Sequence, residues 1–169
     1  MQDPTQDLSP KAVLLDVDGT LIHSNRAHAL AYVEAGREMG LRLDFEQVRR
    51  MIGMGGDKLL PRAAGLAEDS PEGERLTRLK KEIFFARFLP QLEPTRGARE
   101  LLLYLRDEGI RRVVATSAGR DEMTRILEQA GVADLIQAET SSDDAEESKP
   151  DPDIVRAALR KAGCAPEDA

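Results

Sequence analysis

The sequence predicts an α/β fold, a parallel-sheet core carrying an inserted helical segment, and three observations predict it. Residues 12–15, Ala-Val-Leu-Leu, are a short unbroken apolar run, the pattern of a strand covered on both faces of a parallel sheet. From residue 96 onward, apolar strand-like runs alternate with helical patterns, the rhythm of βα units. Between these two regions, residues 24–90 carry helical signals only.

The elements follow in chain order. Residues 1–10 read as a loose polar leader with Pro4 and Pro10 at its ends, without the basic and apolar regions of a signal peptide. Strand one ends in Asp16, with Asp18 two residues on and a Gly19-Thr20 turn behind it. Asn25 is expected to cap a helix running to about residue 39, with Ala29, Leu30, Val33 and Ala35 toward one side. Asp44 caps a second helix over 45–52, Gly53-Met54-Gly55-Gly56 breaks the pattern, and a short helix covers 58–64. Ser70-Pro71 is a cap followed by Pro at the first helical position, opening a long helix with Leu76, Leu79, Ile83, Phe84 and Phe88 at helical spacing and ended by Pro90. A helix over 96–107 closes at Gly109, a strand covers 113–116, and a helix over 121–129 closes at Gly131. A third strand is expected over 135–138, then an acidic loop over 140–148 and a helix over 152–162 closed by Gly163.

Length and composition bound the function. The 169 residues make one domain, or one with a modest insert, long enough for a real core. Trp is absent and aromatic content is 4%, so that core must be built from Leu, Val, Ile, Ala and Met. A formal charge of −7 argues against nonspecific nucleic-acid binding, which depends on phosphate neutralisation by Lys and Arg. Cys164 is alone, which excludes a disulfide framework and a Cys-rich metal site. No run approaches the roughly 18 apolar residues of a membrane span, so a cytoplasmic protein is expected.

Three groups carry chemistry. Asp16 and Asp18 stand at the carboxyl end of a buried strand, where open α/β sheets place their ligand crevice. Two crowded anions are costly unless a cation neutralises them, and a hard divalent ion such as magnesium suits oxygen ligands beside phosphate. Thr116 ends the 113–116 strand, and Ser117 and Gly119 lead into a helix, a junction whose hydroxyls and free N–H groups can hold a phosphoryl oxygen or can simply cap the helix. Lys149, held before Pro150 at the mouth of the last helix, is a fixed cation suited to orthophosphate or to a carboxylate nucleophile.

Asp16-Val17-Asp18-Gly19-Thr20 after an apolar strand resembles the first signature of the haloacid dehalogenase (HAD) superfamily. Thr116 at a strand end is similar to its second, and Lys149-Pro150-Asp151-Pro152-Asp153 to its third, in the right order. The resemblance covers residue 11 to the end and implies a HAD-like, Rossmann-type parallel core over 11–23 and 91–169, with residues 24–90 as a small helical cap of the phosphoglycolate-phosphatase and β-phosphoglucomutase type.

What the resemblance implies is a magnesium-dependent phosphatase of small phosphorylated metabolites. Asp16 would be the nucleophile that forms an aspartyl-phosphate. Asp18 would be the general acid and base, and the two together would supply metal ligands. Thr116, Ser117 and Lys149 would bind the phosphoryl group. His28 falls where related members place a His, and reads equally as a helix-face residue; His23 reads as a surface residue. The 53–56 loop with Lys58 is the candidate for leaving-group contact, although a simple helix–helix turn is the reading its residues favour.

The family's fourth signature, an acidic cluster completing the metal site, has no match before residue 169. Strand one is therefore expected at a sheet edge, and the weakened metal site is expected to lower turnover on the order of a hundredfold. A sugar phosphomutase of the same fold is the nearest alternative, and the 53–56 loop lacks the Arg of the mutase pattern. A catalytically impaired fragment that binds phosphate or a partner is another. The paired Asp, Thr and Lys-Pro also resemble a response-regulator receiver, which would need a further Asp on a middle strand and no helical insert.

Overall fold

The apolar run 12–15 builds β1 (Ala12–Leu15), the first of three parallel strands in the computed structural model, which describes residues 10–169. The expected leader lies outside the described residues but for Pro10. β2 (Arg111–Ala115) pairs with β1 in the register Leu14↔Val113, and β3 (Ala138–Thr140) pairs with β2 in the register Ala115↔Thr140. The parallel order β1–β2–β3 brings the carboxyl ends of all three strands to one side, and the chemistry gathers there. Pleating sends alternate residues to opposite faces. Leu15 and Val114 join the main core with Leu102, Met123 and Ile126, while Ala12, Val113 and Ala115 meet Ile154 and Ala158 on the other face. Helices therefore cover both faces, which is why the strands read as continuous apolar runs.

Between β1 and β2 run α1 (Asn25–Glu38), α2 (Phe45–Met51), α3 (Gly56–Ala64), α4 (Pro71–Ile83) and α5 (Ala98–Asp107). After β2 come α6 (Arg120–Gln129) and, beyond β3, α7 (Asp153–Ala162). Asp44 caps α2 as expected, accepting from the Gln47 N–H at 2.7 Å. Ser70 caps α4, accepting from the Gly73 N–H at 3.1 Å. No helix among the described residues is long and apolar enough to cross a membrane.

Four expectations need correction. Asn25 does not cap α1: its Oδ1 is buried without a partner, and Ser24, the residue before it, turns its hydroxyl to Asp18. On α1 the expected Ala29 and Ala35 are buried, together with Ala27, His28, Ala31, Tyr32 and Gly36, but Leu30 and Val33 are only half-buried. The long fourth helix yields after Ile83 to a π-helical turn, Phe84–Phe88, which seats the buried Phe84 ring 4.0 Å from the His28 ring, centroid to centroid. The third strand sits three residues later than hydropathy suggests. Ala133–Leu135 is a 3-10 turn held by the buried Arg112, whose Nε donates to the Leu135 carbonyl at 2.7 Å. Polar Thr140 enters the strand because its hydroxyl donates to the Val114 carbonyl at 2.7 Å, satisfying it in the interior.

Among the described residues β1 has one strand neighbour, and its other edge is met near Lys11, whose N–H donates to the Asp168 carbonyl at 2.7 Å.

One glycine inverts the usual helix rule. Gly→Ala ordinarily stabilises a helix by about 1 kcal/mol. At Gly73, in the first turn of α4, an added Cβ would lie 2.0 Å from the Ala67 carbonyl oxygen, a backbone atom that cannot swing aside. Gly73→Ala is therefore expected to destabilise by roughly 1–3 kcal/mol. Urea unfolding checks the sign, and a stabilised variant would show that the 67–70 turn yields freely.

Candidate active site

At the end of β1 the chain turns sharply. Gly19 takes φ +78°, a left-handed conformation that suits glycine, and its N–H donates to the Ile22 carbonyl at 2.9 Å. The turn leaves Asp16 and Asp18 lining one cavity of about 260 Å³, with the apolar Val17 between them buried. Thr116 and Ser117, at the end of β2, line the same cavity. The Thr116 hydroxyl accepts from the Ala118 N–H at 3.1 Å. The Ser117 hydroxyl is buried and has no partner, an orphaned polar atom suited to a phosphoryl oxygen. Lys149 reaches across from the loop before α7: its Nζ donates to Asp16 Oδ1 at 2.7 Å and to the Ala115 carbonyl at 2.8 Å. Three segments far apart in sequence thus converge, and the expected Asp16, Asp18, Thr116, Ser117 and Lys149 come together.

Lys58 does not join them. Its ammonium turns to the segment before α7, donating to the Ser148 carbonyl at 2.6 Å and pairing with Asp151, with Glu147 at 3.6 Å. An ammonium at the start of α3 has three acceptors within reach in that segment, and it pairs there. The 53–56 loop itself does line the cavity. It approaches the Lys149 loop so closely that a Cβ on Gly55 would lie 2.3 Å from Ser148 Cβ. A second cleft, of about 860 Å³, opens beside α3 and α4 and holds none of the strand-end groups.

His28 belongs to the site: its Nε2 lies 2.8 Å from Asp18 Oδ1, while His23 is exposed. Three residues that local sequence did not single out complete the surroundings. Ser24 donates to Asp18 Oδ1 at 2.5 Å. Lys80, on α4, donates to Glu122 Oε1 at 2.5 Å, and that oxygen lies 3.5 Å from His28 Nδ1. Lys80 Nζ also sits 5.4 Å and 5.3 Å from the ring centroids of Tyr32 and Phe84, cation–π contacts that help hold a buried ammonium. The signal for Lys80 was available, since it stands on the buried stripe Leu76–Lys80–Ile83 at apolar spacing.

Burial alone would push the Asp18 carboxyl up. The charge and hydrogen bond of His28, the Ser24 hydroxyl and Lys80 outweigh it and bring the pKa down to about 2. Burial likewise works against the Lys80–Glu122 pair, and their mutual attraction overcomes it on both sides. Glu122 lies below its ordinary 4.5 and Lys80 above its ordinary 10.5. Glu122 therefore contributes stability that is complete above pH 4.5 and is lost as pH falls through its lower folded value. Lys80 contributes stability that is complete below pH 10.5 and is lost as pH rises through its higher folded value. The thermal midpoint should fall more steeply below pH 4.5 in the wild type than in the Lys80→Met/Glu122→Leu double variant. Equal acid slopes would show that other carboxylates govern that limb.

Asp16 keeps 38% of its side chain exposed and Asp18 keeps 11%. Among the described residues no group of three or more His, Cys, Asp or Glu gathers as a metal-ligand cluster. The two strand-end carboxylates offer oxygen donors. Two carboxylates, with waters and a substrate phosphate filling the remaining positions, are a usual complement for magnesium, and the pair fits that ion.

A family model described as haloacid dehalogenase-like hydrolase matches residues 10–169. The chain belongs to that family. It is an enzyme of the hydrolase class. It is 35% identical over 166 residues to phosphoglycolate phosphatase of Rhodospirillum rubrum, covering 91% of this chain and 67% of the relative. Phosphoglycolate phosphatase of Caulobacter vibrioides is 30% identical over 162 residues, covering 93% of this chain and 68% of the relative. The chain thus spans about two thirds of the length of these relatives. Among solved structures, a hydrolase from Pseudomonas syringae superposes with a TM-score of 0.85 at 30% identity, over 94% of this chain and 73% of that one. CbbY from Rhodobacter sphaeroides, solved in complex with phosphate, superposes with a TM-score of 0.80 at 27% identity, over 95% of this chain and 76% of that one.

Proposed function

We propose that this chain is a magnesium-dependent phosphomonoesterase acting on small phosphorylated metabolites through an aspartyl-phosphate. The observation that carries the reading is the 2.7 Å contact of Lys149 with Asp16 in a cavity that also holds Asp18, Thr116 and Ser117. An oxygen of Asp16 attacks phosphorus in line, the P–O bond to the leaving group breaks, and Asp18 gives that oxygen its proton. Water then attacks the aspartyl-phosphate, Asp18 takes a proton from it, and the Asp16–P bond breaks to release orthophosphate. Lys149 and the Thr116 and Ser117 hydroxyls hold the phosphoryl oxygens, where positioning and charge neutralisation supply most of the acceleration.

Asp16 and Asp18 would hold magnesium, which when bound neutralises charge between the nucleophile and the phosphoryl oxygens. Asp18 is ionised in the resting site and so able to take a proton, and an arriving phosphate anion raises its affinity for one so that it also serves as acid. Residues 24–90 act as the cap that closes over the site and excludes water.

The test is orthophosphate release from a panel of monoesters in magnesium. The panel starts with 2-phosphoglycolate, which the names of the Rhodospirillum and Caulobacter relatives suggest, and includes p-nitrophenyl phosphate. Chelation should lower turnover by roughly a hundredfold or more. No release from any ester would end the reading. A bisphosphate accumulating from glucose 1-phosphate would move it to a mutase.

A further inference from the structure

Glu122 is a buried carboxylate at the site to which the proposed reaction gives no step. It lies in the first turn of α6, directly after the strand end that supplies Thr116 and Ser117. Its Oε1 stands between Lys80 Nζ at 2.5 Å and His28 Nδ1 at 3.5 Å, and the other face of the same imidazole meets Asp18 at 2.8 Å. We propose that Glu122 is a positioning residue that, through Lys80 and His28, keeps Asp18 oriented for proton transfer and α4 seated on the site; this rests on the hydrolase reading above.

The charges make the case. Two carboxylates, Asp18 and Glu122, stand close to one buried lysine, Lys80. Glu122 engages that lysine, and the Tyr32 and Phe84 rings stand over it. Asp18 is thereby left hydrogen-bonded to a histidine and a serine hydroxyl, which fix the direction of its carboxylate. Without Glu122, Lys80 is a buried cation in need of an anion, and Asp18 is the carboxylate beside it. Pairing there would swing the Asp18 carboxylate off the leaving-group oxygen.

The topology adds a second consequence. Lys80 belongs to the helices between β1 and β2, whereas Glu122 follows β2, 42 residues later. The pair therefore pins the helical segment to the sheet across the cavity that both residues line.

A buried ion pair can often be replaced by apolar residues with little loss of stability, so stability and positioning are separable. The experiment compares wild type, Glu122→Gln and the Glu122→Leu/Lys80→Met double variant in magnesium, with phenyl phosphate as substrate. Amide hydrogen exchange of α4 is measured alongside. Glu122→Gln is expected to lower kcat by roughly ten- to a hundredfold with KM within about threefold, the signature of a loss confined to the transition state. Exchange in α4 should accelerate. In the double variant the thermal midpoint should recover while kcat stays low. Wild-type kcat and exchange in Glu122→Gln, or recovery of kcat together with the midpoint in the double variant, would overturn the proposal. If the wild type itself releases no phosphate, the hydrolase reading and the proton-transfer role fall together, and unchanged α4 exchange would remove the seating role as well.

Discussion

Asp16→Asn is expected to abolish phosphate release, by roughly four orders of magnitude or more, as loss of the nucleophile does in other covalent enzymes. The substitution is nearly isosteric. Its amide oxygen can still accept from Lys149, now 2.7 Å from Asp16 Oδ1, and the side chain is 38% exposed. The fold should therefore change by less than about 1 kcal/mol, within the range of substitutions at exposed positions. An amide oxygen is a poor nucleophile, and no other carboxylate at the end of β1 is as open to the cavity, since Asp18 is engaged by Ser24 and His28. The measurement is steady-state phosphate release with a thermal midpoint to show that the protein is folded. Turnover within tenfold of wild type would move the nucleophile to water and sink the aspartyl-phosphate.

The second large effect belongs to Asp18→Asn, and it should depend on the leaving group. For an alkyl phosphate, whose alkoxide leaves only with a proton, loss of the general acid should cost on the order of 10²–10⁴ in rate. p-Nitrophenolate departs without a proton, so formation of the aspartyl-phosphate should survive better on p-nitrophenyl phosphate. Its hydrolysis still needs a base, so the variant should release a burst of nitrophenol equal to the enzyme present and then stall. Equal losses on both esters, with no burst, would remove Asp18 from proton transfer. Rapid mixing on the folded variant decides between these outcomes.

Much of the architecture is written locally. The run Ala12–Leu15, the Asp-x-Asp-Gly turn, the strand-to-helix junction at Thr116 and the Ser70-Pro71 cap each depend on consecutive residues whose period, turn chemistry or capping decides their form. Asp16, Thr116 and Lys149 could be named because each stands at such a junction. Hydropathy starts the third strand three residues early because the polar members of this region are buried. Thr140 and Arg112 are satisfied by carbonyls of neighbouring segments, and hydropathy along the chain does not register a partner from elsewhere.

By itself the sequence determined the α/β alternation, the helical segment between the first two strands and the identity of the strand-end groups. These follow from near neighbours in the chain. The tertiary structure alone decided where the long charged side chains point. Lys58 turns to the segment before α7 and pairs with Asp151, 93 residues away, while Lys80 meets Glu122 across 42 residues. A lysine side chain reaches far enough to take any anion that packing brings near. Its partner is set by how the helices settle on the sheet, and no period or propensity within its own helix contains that information.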